Sequence, residues 1–498
     1  MILVPLTFFF WFASAFPAQI SASGIDTAEW RVFFALVGLV GLVWIAWAVL
    51  NFSGWTVLNR VLLVGVLVLV AGALIVWTMP EDGAPLQVDR ADWFWLLALL
   101  LPGMALRRML ARRLWAMTPL DIWMALFLVL GFLNIPFAPY PSRGLGMLMR
   151  PLLGMAIVVH VVETARTQQS ITGILRLTLL LSLFVGIMGL LSTQWNVKSD
   201  AFSGIIERLP EANRLLLPGT INPNEIGGAL AWLVPYVAAM FIYPWRRIAS
   251  LWRLLAALGF AVSLLALVLG QSRFALVGVV VGLSLVAVFA YARPWRYLLA
   301  SLILLLVVLE GAVLFNLIGG NGTGASTGLS ARDESTSMQR TDIWKSAVAI
   351  IGRYPLTGAG MNRFRSGAAA ADFPIAGFDV PHPDEPAGRV RGRPPHAHNE
   401  LLQLGSDFGI PGIIFVVGLY GTLLYMAIKS WWVAERSAQV AITAAMAGLL
   451  AHAIYGIGDA IPLWDRFAWL FWILVGIVAA QYLLVTLDNE ETQELTLK

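Results

Sequence analysis

The sequence predicts an all-α integral membrane protein, a polytopic helical bundle with about 14 transmembrane helices. Of the 498 residues, 59% are hydrophobic and only 12% are charged, whereas soluble domains are about half apolar and a quarter charged. Apolar windows such as Val61–Trp77 and Leu299–Ile318 reach the length of about 20 residues that a spanning helix needs. The 21 Trp residues suit a protein with two membrane–water interfaces.

Apolar runs bounded by charges or by Pro and Gly predict the individual spans. We expect them at residues 2–19, 31–50, 57–78, 92–106, 119–137, 144–163, 171–192, 225–243, 250–270, 273–291, 297–318, 400–428, 438–457 and 464–486.

Three regions follow from this pattern: a transmembrane bundle of about eleven spans at 1–318, a long polar loop at 319–399, and C-terminal spans with a tail at 400–498. Alternate short loops carry the basic residues: Arg107, Arg108, Arg112, Arg113, Arg166, Arg246, Arg247, Arg253, Arg293, Arg296, Lys429 and Arg436. Because basic short loops stay in the cytoplasm, the long loop is predicted to be periplasmic and both termini cytoplasmic.

The long loop contains a predicted amphipathic helix. In Gln339–Ile351, the apolar residues Ile343, Trp344, Ala347, Ile350 and Ile351 share one helical face. We expect this helix to lie on the membrane surface.

Composition excludes several kinds of chemistry. The chain has no cysteine, so disulfides, thiolate metal sites and a cysteine nucleophile are ruled out. A net charge of +4, with much of the basic charge at helix ends, does not indicate a nucleic-acid surface. No P-loop is present, and no cofactor is predicted.

The densest polar cluster lies where the long loop re-enters the membrane. It consists of Arg389, Arg391, Arg393, His396, His398, Asn399 and Glu400. Histidine is the usual general base near neutral pH. A basic loop end that docks a helix remains an alternative. So does a structural metal site in which His396 and His398 bind the ion, with Asp379, His382, Asp384 and Glu385 nearby, although no His-Glu-x-x-His spacing supports it.

Isolated arginines at the apolar segments are further candidates. Arg273 follows Ser272 between two spans, Arg150 precedes Pro151 within a span, and Arg340 begins the amphipathic helix. An arginine at such a place is costly unless it is paired, faces water or extends its head group to the interface. Asp459, Asp465 and Arg466, by contrast, are interpreted as interface charges.

A motif gives these residues a context. His398-Asn399 is followed, after nine residues, by Gly409-Ile410-Pro411-Gly412. This pattern resembles the signature of the bacterial O-antigen ligase (WaaL-type) family, which Wzy-type O-antigen polymerases share in looser form. The long loop, Arg340 with Trp344, and Ser272-Arg273 agree, so the resemblance extends over about residues 218–461.

The resemblance implies a glycosyltransferase of the GT-C type in the bacterial inner membrane. It would transfer a glycan from undecaprenyl pyrophosphate, on the periplasmic face, to a lipid A–core sugar (ligase) or to a second lipid-linked glycan (polymerase). It further implies an inverting, metal-independent reaction with His398, Arg273 and Arg340 as catalytic residues. Asn399, His396, Arg389, Arg391, Arg393 and Arg150 are expected to bind substrate. The predicted span number exceeds the typical ligase number of about twelve, which favours the polymerase alternative.

Two other classes compete with this hypothesis. A polysaccharide transporter or flippase would use broken helices and charge near the midplane, at which Arg150-Pro151 hints. A non-catalytic scaffold for envelope assembly would not need His398 beside a set of arginines.

Overall fold

A computed structural model describes residues 118–137, 145–193, 195, 221–245, 249–290, 329–375, 394–465 and 467–496. All helices named below belong to one compact unit, residues 116–498. In chain order they are α1 (Asp121–Phe137), α2 (Leu145–Thr164), α3 (Gln168–Ser192), α4 (Pro223–Phe241), α5 (Ala249–Gly270), α6 (Arg273–Ala290), α7 (Leu329–Arg353), α8 (Gly367–Asp372), α9 (Glu400–Phe408), α10 (Ile410–Trp431), α11 (Arg436–Gly458) and α12 (Trp469–Thr496).

The apolar runs predict most of these helices to within a few residues. The predicted spans at 2–19, 31–50, 57–78, 92–106 and 297–318 lie outside the described residues. Within the described part, five helices are long and apolar enough to cross a membrane, namely α3, α5, α10, α11 and α12. Large apolar side chains such as Val417 and Leu424 on α10 are more than half exposed. An outward-facing apolar surface on long helices is that of an integral membrane protein.

Helix α4 lies at the centre of the packing. Its start is set locally, because Asn222 and Glu225 form a capping box around Pro223. Most of its residues are buried, and it packs against α5, α6 and α11. Helices α6 and α11 approach closely because Gly278 and Gly282 leave no side chain against the α11 backbone. This small-residue spacing is typical of helices that pack within membranes.

The predicted single span at 400–428 is wrong, because the structure divides it into α9 and α10. The break is at Gly409, whose φ is +73°. A Cβ there would collide with the Pro355 carbonyl oxygen, which accepts a 2.7 Å hydrogen bond from the Ile410 N–H. Glycine adopts this left-handed backbone without a steric penalty. The short α9 is therefore a separate helix, and of the two only α10 is long and apolar enough to cross a membrane.

The amphipathic helix exists, but it begins ten residues before the predicted Gln339. Its apolar face is covered by protein: Ile343, Ala347 and Ile350 form a buried cluster with residues of the segment that follows. That segment closes against α9, where the Ala359 N–H donates to the Ser406 carbonyl at 2.6 Å. The expectation that the membrane surface covers this face is therefore wrong.

Candidate active site

The turn before α9 places two histidines side by side. His398 has a φ of +47°, a left-handed conformation that is uncommon for residues other than glycine. Its N–H donates to Nδ1 of His396 at 3.2 Å, and its carbonyl accepts from Nε1 of Trp344 on α7 at 3.3 Å. Asn399 then caps α9 through the Leu402 N–H at 2.9 Å and donates to the Ile457 carbonyl at 2.9 Å. The turn is thus tied to α7, α9 and α11.

Asp459, immediately after α11, is the partner of His398. Its Oδ1 lies 2.9 Å from Nδ1 of His398 and 3.8 Å from Nδ1 of His396. Asp459 is 3% exposed, and its Oδ1 also accepts from the Ala460 N–H at 2.9 Å. Burial alone would raise the pKa of this carboxyl. The hydrogen bond and charge of His398, with His396 and Arg340, outweigh burial and hold the pKa below its usual range.

An ionised Asp459 determines how His398 presents its ring. A carboxylate can only accept, so Nδ1 of His398 must carry the proton that the hydrogen bond uses. In the neutral ring, Nε2 is then the nitrogen that carries the lone pair. The His398 side chain is 23% exposed, so the ring is held by a buried group while still reaching the surface.

Arg340 on α7 is an arginine whose charge reaches this pair. Its guanidinium lies 5.4 Å from the centre of the Phe274 ring, and its charge acts on both Asp459 and His396. Phe274 packs on Gly458, directly before Asp459. Because Phe274 follows Arg273, the start of α6 also borders the site, and the Arg273 side chain is exposed there. Arg340 therefore acts on the site from α7, and the start of α6, where Arg273 stands, is next to it through Phe274; a role of Arg273 in the site stays a prediction.

Comparison with known proteins agrees with the motif. Residues 258–417 match the family model described as O-antigen ligase. The match supports assignment of the chain to the O-antigen ligase family, as the motif predicted. No curated protein matches the chain. Together with the apolar helices, the family supports a ligase- or polymerase-like role in O-antigen pathways, with glycosyltransferase-like activity on lipid-linked glycans in a membrane.

The O-antigen ligase segment includes Arg273, Arg340, His396, His398 and Asn399 but ends before Asp459. The sequence alone indicates only an interface charge at Asp459. Its partner is 61 residues away, so no local spacing reveals the pair. The predicted topology is the one feature of the sequence that is consistent with the pair, because it puts the end of α11 on the same side of the membrane as the long loop.

The other arginines that are predicted to bind substrate are not placed beside His398 by the described contacts. Arg150 on α2 donates from Nη1 to the Trp464 carbonyl at 2.7 Å, so it supports the segment that follows Asp459. Arg389, Arg391 and Arg393 lie outside the described residues.

Glu400, an acidic residue of the polar cluster, is buried behind the His398 turn. The sequence predicts no specific role for it. Glu400 lies with its Oε2 3.6 Å from Nε2 of His452. Burial raises the pKa of Glu400 to about 8. The ring of His452 stacks on Trp232 of α4, with ring centres 3.5 Å apart. This pair connects the start of α9 to the centre of the bundle.

His396, His398 and Asp459 are also the described residues that could hold a metal ion, because their ligand atoms lie within 4.8 Å of one another. However, Nδ1 of His398 is hydrogen-bonded to Asp459, and Nδ1 of His396 accepts the His398 N–H. A metal bound to these two Nδ1 atoms would have to break both hydrogen bonds, whereas the Nε2 atoms take no part in them. The alternative ligands Asp379, His382, Asp384 and Glu385 lie outside the described residues.

Proposed function

We propose that this protein transfers a glycan from an undecaprenyl-pyrophosphate-linked donor to a hydroxyl of a lipid A–core sugar, on the periplasmic face of the bacterial inner membrane. The observation that carries the proposal is the 2.9 Å hydrogen bond between His398 and Asp459, beside Arg340. An oriented imidazole next to a permanent cation suits the attack of a hydroxyl on a glycosyl pyrophosphate.

His398 acts as the general base. The acceptor hydroxyl attacks the anomeric carbon, and Nε2 takes its proton as the new C–O bond forms. The bond from the anomeric carbon to the pyrophosphate oxygen breaks, and the electron pair leaves with the pyrophosphate. Attack from the side opposite the leaving group inverts the anomeric configuration. Asp459 stabilises the imidazolium that results, as a carboxylate does in other His–Asp pairs.

Arg340 and Arg273 stabilise the leaving group. A pyrophosphate carries at least two negative charges, and guanidinium groups bind phosphate oxygens in pairs and stay charged at any working pH. Arg340 already acts electrostatically on the His398–Asp459 pair, and Arg273 begins the neighbouring helix. Charge stabilisation of the leaving group is the larger contribution to the rate.

The reaction proceeds without a metal. The glycosyl–phosphate bond of the donor is already activated, so neither ATP nor a nucleotide sugar is needed. The arginines supply the positive charge that a divalent ion would otherwise provide.

The test of the catalytic assignment uses purified protein in bilayers, a lipid-linked glycan donor and a lipid A–core acceptor. We expect His398→Ala to lose about 10²–10⁴-fold in transfer rate, the usual contribution of general base catalysis. His398→Asn is the matched variant: asparagine tolerates the left-handed backbone but has no basic nitrogen, and it should be equally inactive. Normal rates in both variants would refute the assignment of His398.

Ligase and polymerase activities are separated by products in a deletion strain. A ligase predicts that long chains are still made on the lipid carrier but are absent from lipid A–core. Accumulation of single repeat units on the carrier would instead indicate a Wzy-type polymerase.

A further inference from the structure

A buried relay of polar side chains lies behind the His398 turn. Gln403 and Asp407 are one turn apart on α9 and are 1% and 0% exposed. Oε1 of Gln403 accepts the Ala397 N–H at 2.7 Å, and Nε2 of Gln403 donates to Oδ2 of Asp407 at 2.6 Å. Ala397 is the residue between His396 and His398. The relay therefore ends on the His396–Ala397 peptide, one residue before the proposed base.

The far end of the relay is fixed as well. Oδ1 of Asp407 accepts the Asn362 N–H at 3.0 Å. Asn134 of α1 donates to the Asp407 carbonyl at 2.8 Å, and its Oδ1 accepts the Met361 N–H at 2.6 Å. Asp407 is thus held between a membrane helix and the segment after α7.

The order of donors and acceptors fixes the Gln403 amide. Because Asp407 receives the Asn362 N–H on one oxygen, the other oxygen faces Gln403 and accepts from its NH₂ group. The amide oxygen of Gln403 then points at Ala397 and accepts its N–H. If the amide turned over, two donors would meet at Ala397, which is costly in a buried place.

We infer that Gln403 and Asp407 are positioning residues of this site, which hold the Ala397 peptide so that His398 keeps its left-handed backbone and its hydrogen bond to Asp459. The inference rests on the proposed function of His398. A left-handed non-glycine residue persists only where its surroundings fix it. Here Gln403 holds the His396–Ala397 peptide, one residue before His398, and Trp344 holds the carbonyl of His398 itself.

The chain allows a reciprocal test. Asp407→Asn has one acceptor oxygen where two are needed, so either the Asn362 N–H or the Gln403 amide loses its partner. Gln403→Leu removes the acceptor of the Ala397 N–H. The double variant combines Gln403→Glu with Asp407→Asn. Its carboxylate at position 403 accepts the Ala397 N–H on one oxygen and the amide NH₂ of position 407 on the other. The amide oxygen at position 407 accepts the Asn362 N–H. That variant restores every hydrogen bond and keeps one carboxyl group in the pair.

Transfer rates and amide exchange are measured in the full-length protein, with Gln169→Leu, an exposed glutamine on α3, as the matched control. Each single variant should lose on the order of 10²-fold in kcat, the cost of a small misplacement of a catalytic group, with KM for the donor unchanged. The Ala397 amide should exchange faster with solvent. The double variant should recover kcat and slow exchange, and the control should behave as wild type.

The possible failures are distinguishable. If His398→Ala retains wild-type transfer, the proposed function fails. If His398→Ala is inactive while Gln403→Leu and Asp407→Asn keep full kcat, the positioning inference alone is overturned. It is equally overturned if the double variant, folded as well as wild type, is no more active than the single variants.

Discussion

His398 and Asp459 share a 2.9 Å hydrogen bond although 61 residues separate them. One residue belongs to the turn before α9 and the other to the end of α11, so the pair joins the end of the long loop to the transmembrane bundle. Asp459 also binds the Ala460 N–H, which fixes its carboxylate independently of the histidine. The carboxylate therefore orients the ring, and not the reverse.

The first prediction concerns the charge of Asp459. Asp459→Asn keeps the size of the side chain and one acceptor oxygen but cannot stabilise an imidazolium. We expect the transfer rate to fall on the order of 10²-fold, with little change in KM for the donor. Asp465→Asn, in the same segment, is the control and should retain activity. Equal rates for wild type and Asp459→Asn would show that the carboxylate has no part in the reaction.

The second prediction concerns the arginines. Arg340→Lys and Arg273→Lys each keep a positive charge but lose the planar fork that binds two phosphate oxygens. We expect a large loss of transfer rate in both. Arg353→Lys, an exposed arginine at the other end of α7, is the matched control and should be close to wild type. If lysine serves as well as arginine at 273 and 340, the charge alone suffices and paired contacts to pyrophosphate are excluded.

The third prediction concerns pH and His396. Burial lowers the pKa of His396 to about 4, and His398 and Arg340 act in the same direction while Asp459 opposes them. An unfolded chain binds this proton near pH 6.5, its ordinary value. Between these values the unfolded state holds more protons than the folded state, so the free energy of unfolding falls as the pH falls.

His396→Gln removes this contribution. Thermal unfolding of both proteins at several pH values should therefore show a weaker loss of stability in the variant on going from neutral to acidic pH. Parallel pH dependences for wild type and His396→Gln would contradict a buried, neutral His396.

Particular residues show how far sequence reasoning extends. Helices α2 to α6 and α11 follow from hydropathy, because a bilayer requires a nearly fixed length of apolar chain. The break at Gly409 does not follow from hydropathy, because it depends on the contact of Gly409 and Ile410 with the Pro355 carbonyl, which only the folded chain creates. The cover of the α7 apolar face was also missed, because periodicity identifies a face but not what packs on it. Motif and chemistry selected His398 and Arg340, whereas Asp459 and Gln403 act through contacts that only the folded chain creates.

The fourth prediction concerns metal removal. We expect transfer to survive treatment with EDTA, because the proposed mechanism assigns the positive charge to arginines and uses the histidine–Asp459 contacts as hydrogen bonds. A known metal-dependent glycosyltransferase, treated in parallel, shows that chelation is effective. Loss of transfer with EDTA, restored by a divalent ion, would instead assign His396, His398 and Asp459 as metal ligands.

The fifth prediction concerns orientation. The basic alternate loops predict that the loop at 319–399 is periplasmic, and the proposed reaction requires the His398 site to face that side. Since the chain lacks cysteine, single introduced cysteines can be labelled without background. Ser326→Cys, in the loop, should react with a membrane-impermeant maleimide in spheroplasts. Val433→Cys, which is 58% exposed between α10 and α11, should react only after the inner membrane is opened. The reverse pattern would place the His398 site in the cytoplasm, where the proposed lipid-linked transfer could not occur.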